Sequence, residues 1–271
     1  MSTSTDPGIR GTLSGVLSSE TVVSLLSLLV FVVVWGLAAH LLSLTGVISS
    51  PVLVAEDIYG ILVSMEWVPH LIATLRRIIY AFGFSMVVGT VVGVGMGVSE
   101  FWEKVFQDYV VVSMAFPGLF AVVFTAMWFG VSDVTPMVAA TIVVFGFCAM
   151  MIFEGVRDLD YRYLEMARAF DIPRSRVIRR VMLPDVLGEW FAAARYSFGV
   201  SWKIVVLAEF IAAQQGIGYQ IHSGMSTLQL TGVLSWTIIF LAVMVVWEYG
   251  VLRYIEQRLF SWRDERQIMG W

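Results

Sequence analysis

The sequence predicts an all-α membrane protein. Six transmembrane helices are joined by short connections, and one longer cytoplasmic loop folds as helix, break and helix. Of the 271 residues, 58% are hydrophobic and 14% charged, against roughly 45–50% apolar and about 25% charged in soluble domains. The apolar residues gather into six stretches, each able to supply the roughly 20 helical residues that cross a hydrocarbon core of about 30 Å. Thirteen of the 17 Lys+Arg fall on alternate connections, the asymmetry of a multi-pass chain with its basic loops in the cytoplasm.

The first span is read over residues 22–44, with His40 near its end and a tail, 1–21, before it. Its apolar stretch exceeds the 7–15 residues of a signal-peptide core, so it is expected to stay in the protein. The second, 78–98, is entered by a polar-faced segment from His70 to Arg77. It carries Gly89, Gly93 and Gly97 at four-residue spacing, a smooth face suited to close helix packing. The third, 105–129, contains Pro117 and is expected to kink there. The fourth is 134–156. The fifth, 186–213, is the least apolar and holds Glu189, Arg195, Lys203 and Glu209. The sixth is 233–254, and residues 258–271 form a tail. Six spans place both termini in the cytoplasm, with Arg76 and Arg77 at the outer mouth of the second span.

Several functions are excluded by residue type. The formal charge of −4 offers no basic field for nucleic acid. Cys148 lies in an apolar run and reads as an inert buried thiol, and the three His share no ligand spacing with other donors, so no metal is expected. The two lysines follow Glu103 and Trp202. Without a Gly-Lys pair the chain has no P-loop, and any ATP that drives it is bound by another subunit. No nucleophile–base pair appears, so the chain is not an enzyme by itself.

The loop 157–185 holds seven of the thirteen cations. It is too short to bury a core of its own. Asp160 can cap a helix over 161–170 whose Leu164, Ala167 and Phe170 form an apolar face with Glu165 and Arg168 beside it. Asp171 and Pro173 stop it. A second helix sets Val177, Ile178, Val181 and Met182 among Arg174, Arg176, Arg179 and Arg180, and is expected to end at Pro184. Periodicity alone fits two readings: a hairpin resting on anionic headgroups, or a docking element for a protein partner.

Here the residues resemble a family. Glu165-Met166-Ala167, then Asp171, a basic-apolar helix and Leu183-Pro184 look like the EAA loop of the permease subunits of ABC importers, with Met166 in place of an Ala and Asp171 where Gly is usual. Ser49-Ser50-Pro51, Thr74-Leu75-Arg76-Arg77, Trp128-Phe129-Gly130, Trp202 with Ala208-Glu209, Gly216-Ile217-Gly218-Tyr219 and the run from Glu256 to Arg263 are similar to the nitrate/sulfonate/taurine branch. The resemblance covers 49–263. It implies a type I importer fold with its core over 70–257, in the cytoplasmic (inner) membrane. It also implies two permease copies as a homodimer, two cytoplasmic ABC ATPases holding ATP and Mg, and an extracytoplasmic substrate-binding protein.

On that resemblance Tyr161, Leu164, Glu165, Ala167, Arg168, Phe170 and Asp171 form the ATPase-coupling element. Phe116, Trp128, Phe129, Trp202, Lys203, Gly216, Gly218 and Tyr219 belong to the translocation pathway or its outer gate, for a small polar, anionic solute. For the gate residues an ordinary interfacial turn with aromatic-belt side chains is the other reading. Charges inside a span cost about 2.5–3.5 kcal/mol each on insertion scales, so Arg195, Lys203 and Glu209 need partners or water. Arg195 and Lys203, separated by 80° of rotation and about 12 Å of rise, can face one cavity. Alternatively, Arg195 pairs with a carboxylate such as Glu189, and Glu209 caps a neighbouring helix end. An ion-coupled carrier or channel acting alone and a non-transporting scaffold are the competing functions.

Overall fold

The computed structural model describes residues 20–41, 49–159, 162–170, 172–247 and 250, and all regular structure among them is helical. The elements are α1 Glu20–Leu41, α2 Pro51–Ser64, α3 Trp67–Val98, α4 Glu100–Ala115, α5 Gly118–Phe129 and α6 Val134–Arg157, followed by α7 Arg162–Ala169, α8 Arg174–Val177, α9 Leu183–Ala212, α10 Ile217–Ser226 and α11 Leu230–Val246. Among the described residues α1, α3 and α6 are each long and apolar enough to cross a membrane, and the bent pairs α4–α5 and α9–α10 are so when each is taken as one span. The 17-residue α11 is shorter. The remainder of the sixth expected span, the first 19 residues, the C-terminal tail, Tyr161 and Asp171 lie outside the described residues.

The core is built around α6, which buries Ala139, Ala140, Val143, Val144, Cys148, Ala149 and Ile152 between α3 and α9. The glycines of α3 set its distance from α6. A Cβ at Gly89 would lie 2.6 Å from Cys148 Sγ, one at Gly93 2.5 Å from the Ala149 carbonyl oxygen, and one at Gly97 2.5 Å from Val156 Cγ1. These are closer than real Cβ contacts, so Cys148, the Ala149 carbonyl and Val156 of α6 can seat against the α3 backbone only because the stripe is bare. Farther round, Trp202 of α9 is buried with Ile78, Ala81, Ala140 and Phe198. The Trp190 indole of α9 donates to Thr90 Oγ1 of α3 at 2.9 Å.

Four local features differ from expectation. First, α2 forms where no element was assigned: Ser50 caps it by accepting from Leu53 N, Pro51 occupies its first turn, and Met65 ends it in the left-handed region at φ 59°. Second, the polar segment from His70 to Arg77 is continuous with the second span, giving one helix of 32 residues. Third, Pro117 makes a corner of 99° between α4 and α5 where a kink was expected. Phe116 is driven to extended backbone (φ −71°, ψ 117°), as the residue before proline prefers. Fourth, Pro184 does not end the basic helix. The chain passes from α8 through a π-helical turn, Ile178–Met182, into α9. A widened turn accommodates the missing N–H and the ring of a proline without stopping the helix.

Candidate gate and coupling sites

Three side chains on one face of α3, at His70, Thr74 and Arg77, meet the break between α9 and α10. The spacing of four and three residues aligns them along the helix. Between Ala212 and Ile217 the chain bends by 43°, which exposes backbone donors and acceptors that need partners. Arg77 Nη1 donates to the Gln215 carbonyl at 2.6 Å, Gly216 N donates to His70 Nδ1 at 3.1 Å, and Ile217 N donates to Thr74 Oγ1 at 3.0 Å. Gly218 N donates to Glu209 Oε2 at 3.1 Å. Glu209 therefore caps the first turn of α10 from the last turn of α9. Its carboxylate also accepts from Thr74 Oγ1 at 2.8 Å and from Arg77 Nη1 at 2.6 Å.

The glycines are required by this wrapping. Gly216 sits at φ 121°, and a Cβ there would strike the Glu209 carboxylate, while one at Gly218 would strike the Val206 carbonyl oxygen. Only a glycine adopts the first conformation without strain.

The other side of Arg77 faces Asp133, in the connection before α6. Arg77 Nε and Nη2 both donate to Asp133 Oδ1, and Arg76 pairs with Oδ2. Arg77 is 1% exposed and Glu209 fully buried, whereas Arg76 and Asp133 are each 49% exposed. Two guanidiniums thus balance two carboxylates, with one pair inside and one at the surface. The hydrogen bonds from Arg77 hold the Asp133 carboxyl below its ordinary range, and the two arginine charges act the same way against a smaller effect of burial.

The remaining gate and pathway candidates separate. Tyr219 stacks on His70 with centroids 6.4 Å apart, so it joins the cluster. Phe116 and Trp128 line a groove of about 440 Å³ formed with Tyr109, Val112 and Phe124 at the α4–α5 corner, and Phe129 is exposed beside it. Trp202 is 1% exposed in the helical core, away from any open surface of this chain. Lys203 is exposed about two-thirds of the way along α9, and Arg195 is exposed two turns earlier with contacts of its own.

At the opposite end of the bundle, α7 packs against α8 with Ala167 and Val177 buried. Ala167 is therefore internal to the hairpin. The exposed side carries Glu165, Met166 and Phe170, the last 73% exposed. Leu164 and Arg168 lie on the same helix. The Ile172 N–H donates to the Ala167 carbonyl at 2.8 Å and closes the turn. Glu103 of α4 pairs with Arg157 of α6 at 3.0 Å nearby.

A family model described as the binding-protein-dependent transport system inner membrane component matches residues 85–261. The chain belongs to this family. It is thus the membrane permease of a binding-protein-dependent transport system, a non-catalytic subunit. Among similar proteins, the taurine transport system permease protein TauC of Escherichia coli K12 is 27% identical over 258 residues, covering 93% of each chain. The putative aliphatic sulfonates transport permease protein SsuC of Bacillus subtilis 168 is 26% identical, covering 80% of this chain and 79% of the relative. In solved structures, the fold matches a chain of the MetNI methionine ABC transporter in an inward-facing conformation, with a TM-score of 0.61 and 19% identity, over 71% of this permease and 95% of that chain.

The sequence marked Glu209, Gly216, Gly218 and Tyr219 but did not join them to His70, Thr74, Arg77 and Asp133. The periodicity of the first three was the available signal. The identity of their partners needed the third dimension.

Proposed function

We propose that two copies of this permease form the path of an importer for small organic anions of the sulfonate class, driven by two cytoplasmic ATPases that hold ATP and Mg and loaded by an extracytoplasmic binding protein. The sulfonate and taurine permeases among its relatives support that substrate class. The observation that carries the mechanism is the run of α9. It rises without a break from the π turn at the basic loop to Ala212, about 45 Å for 30 residues, and its last turn holds the α10 start through Glu209.

Glu165, Met166 and Phe170 offer a charge and two apolar side chains to an ATPase cleft. A displacement there is passed along α9 as a rigid-body motion to residues 213–220, which act as the outer gate. The orientation follows from the cations: the basic loop and both termini lie in the cytoplasm, and the Arg77 end faces outward. Lys203, exposed about two-thirds of the way along α9, supplies a transient attraction for an anion, weak enough to permit release.

The test is reconstitution in liposomes with and without the ATPase and the binding protein. Uptake of an organic sulfonate that requires both, together with a stable complex containing the ATPase, supports the reading. Uptake by this chain alone favours a carrier or channel that works without an ATPase.

A further inference from the structure

His70 reaches the gate turn through an imidazole whose protonation state the geometry restricts. Gly216 N–H points at Nδ1 from 3.1 Å, and the Gln220 side-chain amide lies 2.6 Å from Nε2. A neutral imidazole has one acceptor nitrogen. The backbone N–H of Gly216 cannot be turned round, whereas a side-chain amide can flip. Nδ1 is therefore the acceptor, the proton resides on Nε2, and the Gln220 oxygen receives it. The ring is held in this pose by Tyr219, stacked at 6.4 Å, and by the edge of Trp236 at 5.5 Å.

A second proton changes this contact alone among those of the turn. It would have to enter at Nδ1, where it opposes the Gly216 N–H and removes the hydrogen bond. The bonds to Ile217 and Gly218 come from Thr74 and Glu209 and are untouched. The surroundings do not supply a substitute. On its own helix His70 has Glu66 one turn before and Arg77 two turns after. From α10 it meets Tyr219 and Gln220, and from α11 an indole. The carboxylate of Glu209 on α9 is filled by Arg77, Thr74 and Gly218, and Asp133 before α6 is engaged by both arginines. On α2, which packs against α11, stand Glu56 and Asp57.

We propose that His70 is a positioning residue of the outer gate: its neutral ring holds the Gly216 turn closed, and protonation of the ring from the outer face releases it. This rests on the reading of residues 213–220 as the gate. The closed turn binds fewer protons than the released one, so acid favours release. With an ordinary imidazole value of about 6.5 in the released state and no protonation in the closed one, the released population rises about tenfold from pH 7.5 to pH 5.5.

The experiment is hydrogen exchange of the peptide spanning residues 214–220 in the assembled transporter in lipid nanodiscs, at both pH values and corrected for intrinsic exchange. It is run on the native chain and on His70→Asn, whose Oδ1 keeps an acceptor at the Nδ1 position but does not titrate. The expected result is an approximately tenfold step in the native chain and none in the variant. Equal steps in both, or none in either, overturn the proposal. Sulfonate uptake by both proteins, taken as the ratio of native to variant at each pH, separates the two readings. A tenfold exchange step with an unchanged uptake ratio leaves the His70 contact standing and removes residues 213–220 as the gate. His70→Gln serves as the second variant if His70→Asn does not assemble, since its carbonyl reaches the same turn without titrating.

Discussion

Arg77 and Glu209 stand 132 residues apart in the chain and meet through Nη1 and Oε1 at 2.6 Å, one side chain 1% exposed and the other fully buried. A buried pair of this kind adds little stability compared with a well-packed apolar replacement, but removing one partner leaves an uncompensated charge and costs about 3–5 kcal/mol. Arg77→Met is therefore expected to lower the melting temperature of the purified complex strongly. Arg77→Met combined with Glu209→Leu should recover part of the loss, giving a coupling of about 0.5–3 kcal/mol in a double-mutant cycle. Additive effects of the two changes would show that the pair does not act as a unit.

The exposed half of the network makes stability depend on pH. Asp133 has its carboxyl held below the ordinary value by hydrogen bonds from Arg77. Its folded pKa is thus below its unfolded one, near 3.9 for a free aspartate. The stabilisation it provides is complete above that value and disappears as the pH falls through the lower, folded one. Thermal unfolding followed between pH 3 and pH 7 should show this acid loss in the native permease. Asp133→Asn removes that component and leaves the profile flatter at the acidic end.

Glycine substitutions along α3 should divide by position. Gly93→Ala places a methyl 2.5 Å from the Ala149 carbonyl oxygen, and backbone cannot yield as a flexible side chain does. A loss of about 1–3 kcal/mol is expected from the overpacking. Gly83→Ala and Gly95→Ala meet nothing within 4 Å, and each should be neutral or gain up to about 1 kcal/mol from helix propensity. Melting temperatures of the three variants in the same detergent decide the matter, and equal shifts would refute the close approach of α3 to α6.

At the coupling end, the exposed Glu165 and Phe170 are the side chains to alter, because Ala167 is occupied within the hairpin. Glu165→Lys and Phe170→Ser are each expected to cut uptake at least tenfold while the complex still hydrolyses ATP. Paired measurement of hydrolysis and uptake in proteoliposomes checks this. Equal retention of both activities would show that α7 is not the coupling element.

The spans were legible where burial follows a simple period: the long apolar runs of α1, α3 and α6 and the glycine stripe of α3 needed only composition and spacing. Punctuation by proline was read correctly in place but not in degree. Pro117 turns the chain through 99°, while Pro184, expected to stop a helix, is absorbed by a π turn. A local rule states what a proline forbids, and the packing around it determines what the chain does next. Helix α2 was missed because its 14 residues mix Glu56 and Asp57 with apolar ones and fall below span length. The cluster at the α9–α10 break was half legible. One of the two readings left open for Glu209 was a cap on a neighbouring helix end, which is what it does at Gly218, but the pairing across 132 residues to Arg77 has no one-dimensional signature. The family resemblance places Trp202 in the pathway, and within this chain its ring is buried among Ile78, Ala81, Ala140 and Phe198.

The bare face of α3 also constrains how the molecule can move. Helices separated by full side chains on both sides can roll or slide by exchanging rotamers, but Cys148, the Ala149 carbonyl and Val156 of α6 seat directly on Gly89, Gly93 and Gly97 and leave little such freedom. A pair packed this closely is expected to move as one body. His70, Thr74 and Arg77 stand on one end of it, so on the proposed reading the α9–α10 turn is held by a rigid frame, and its release is a detachment from that frame.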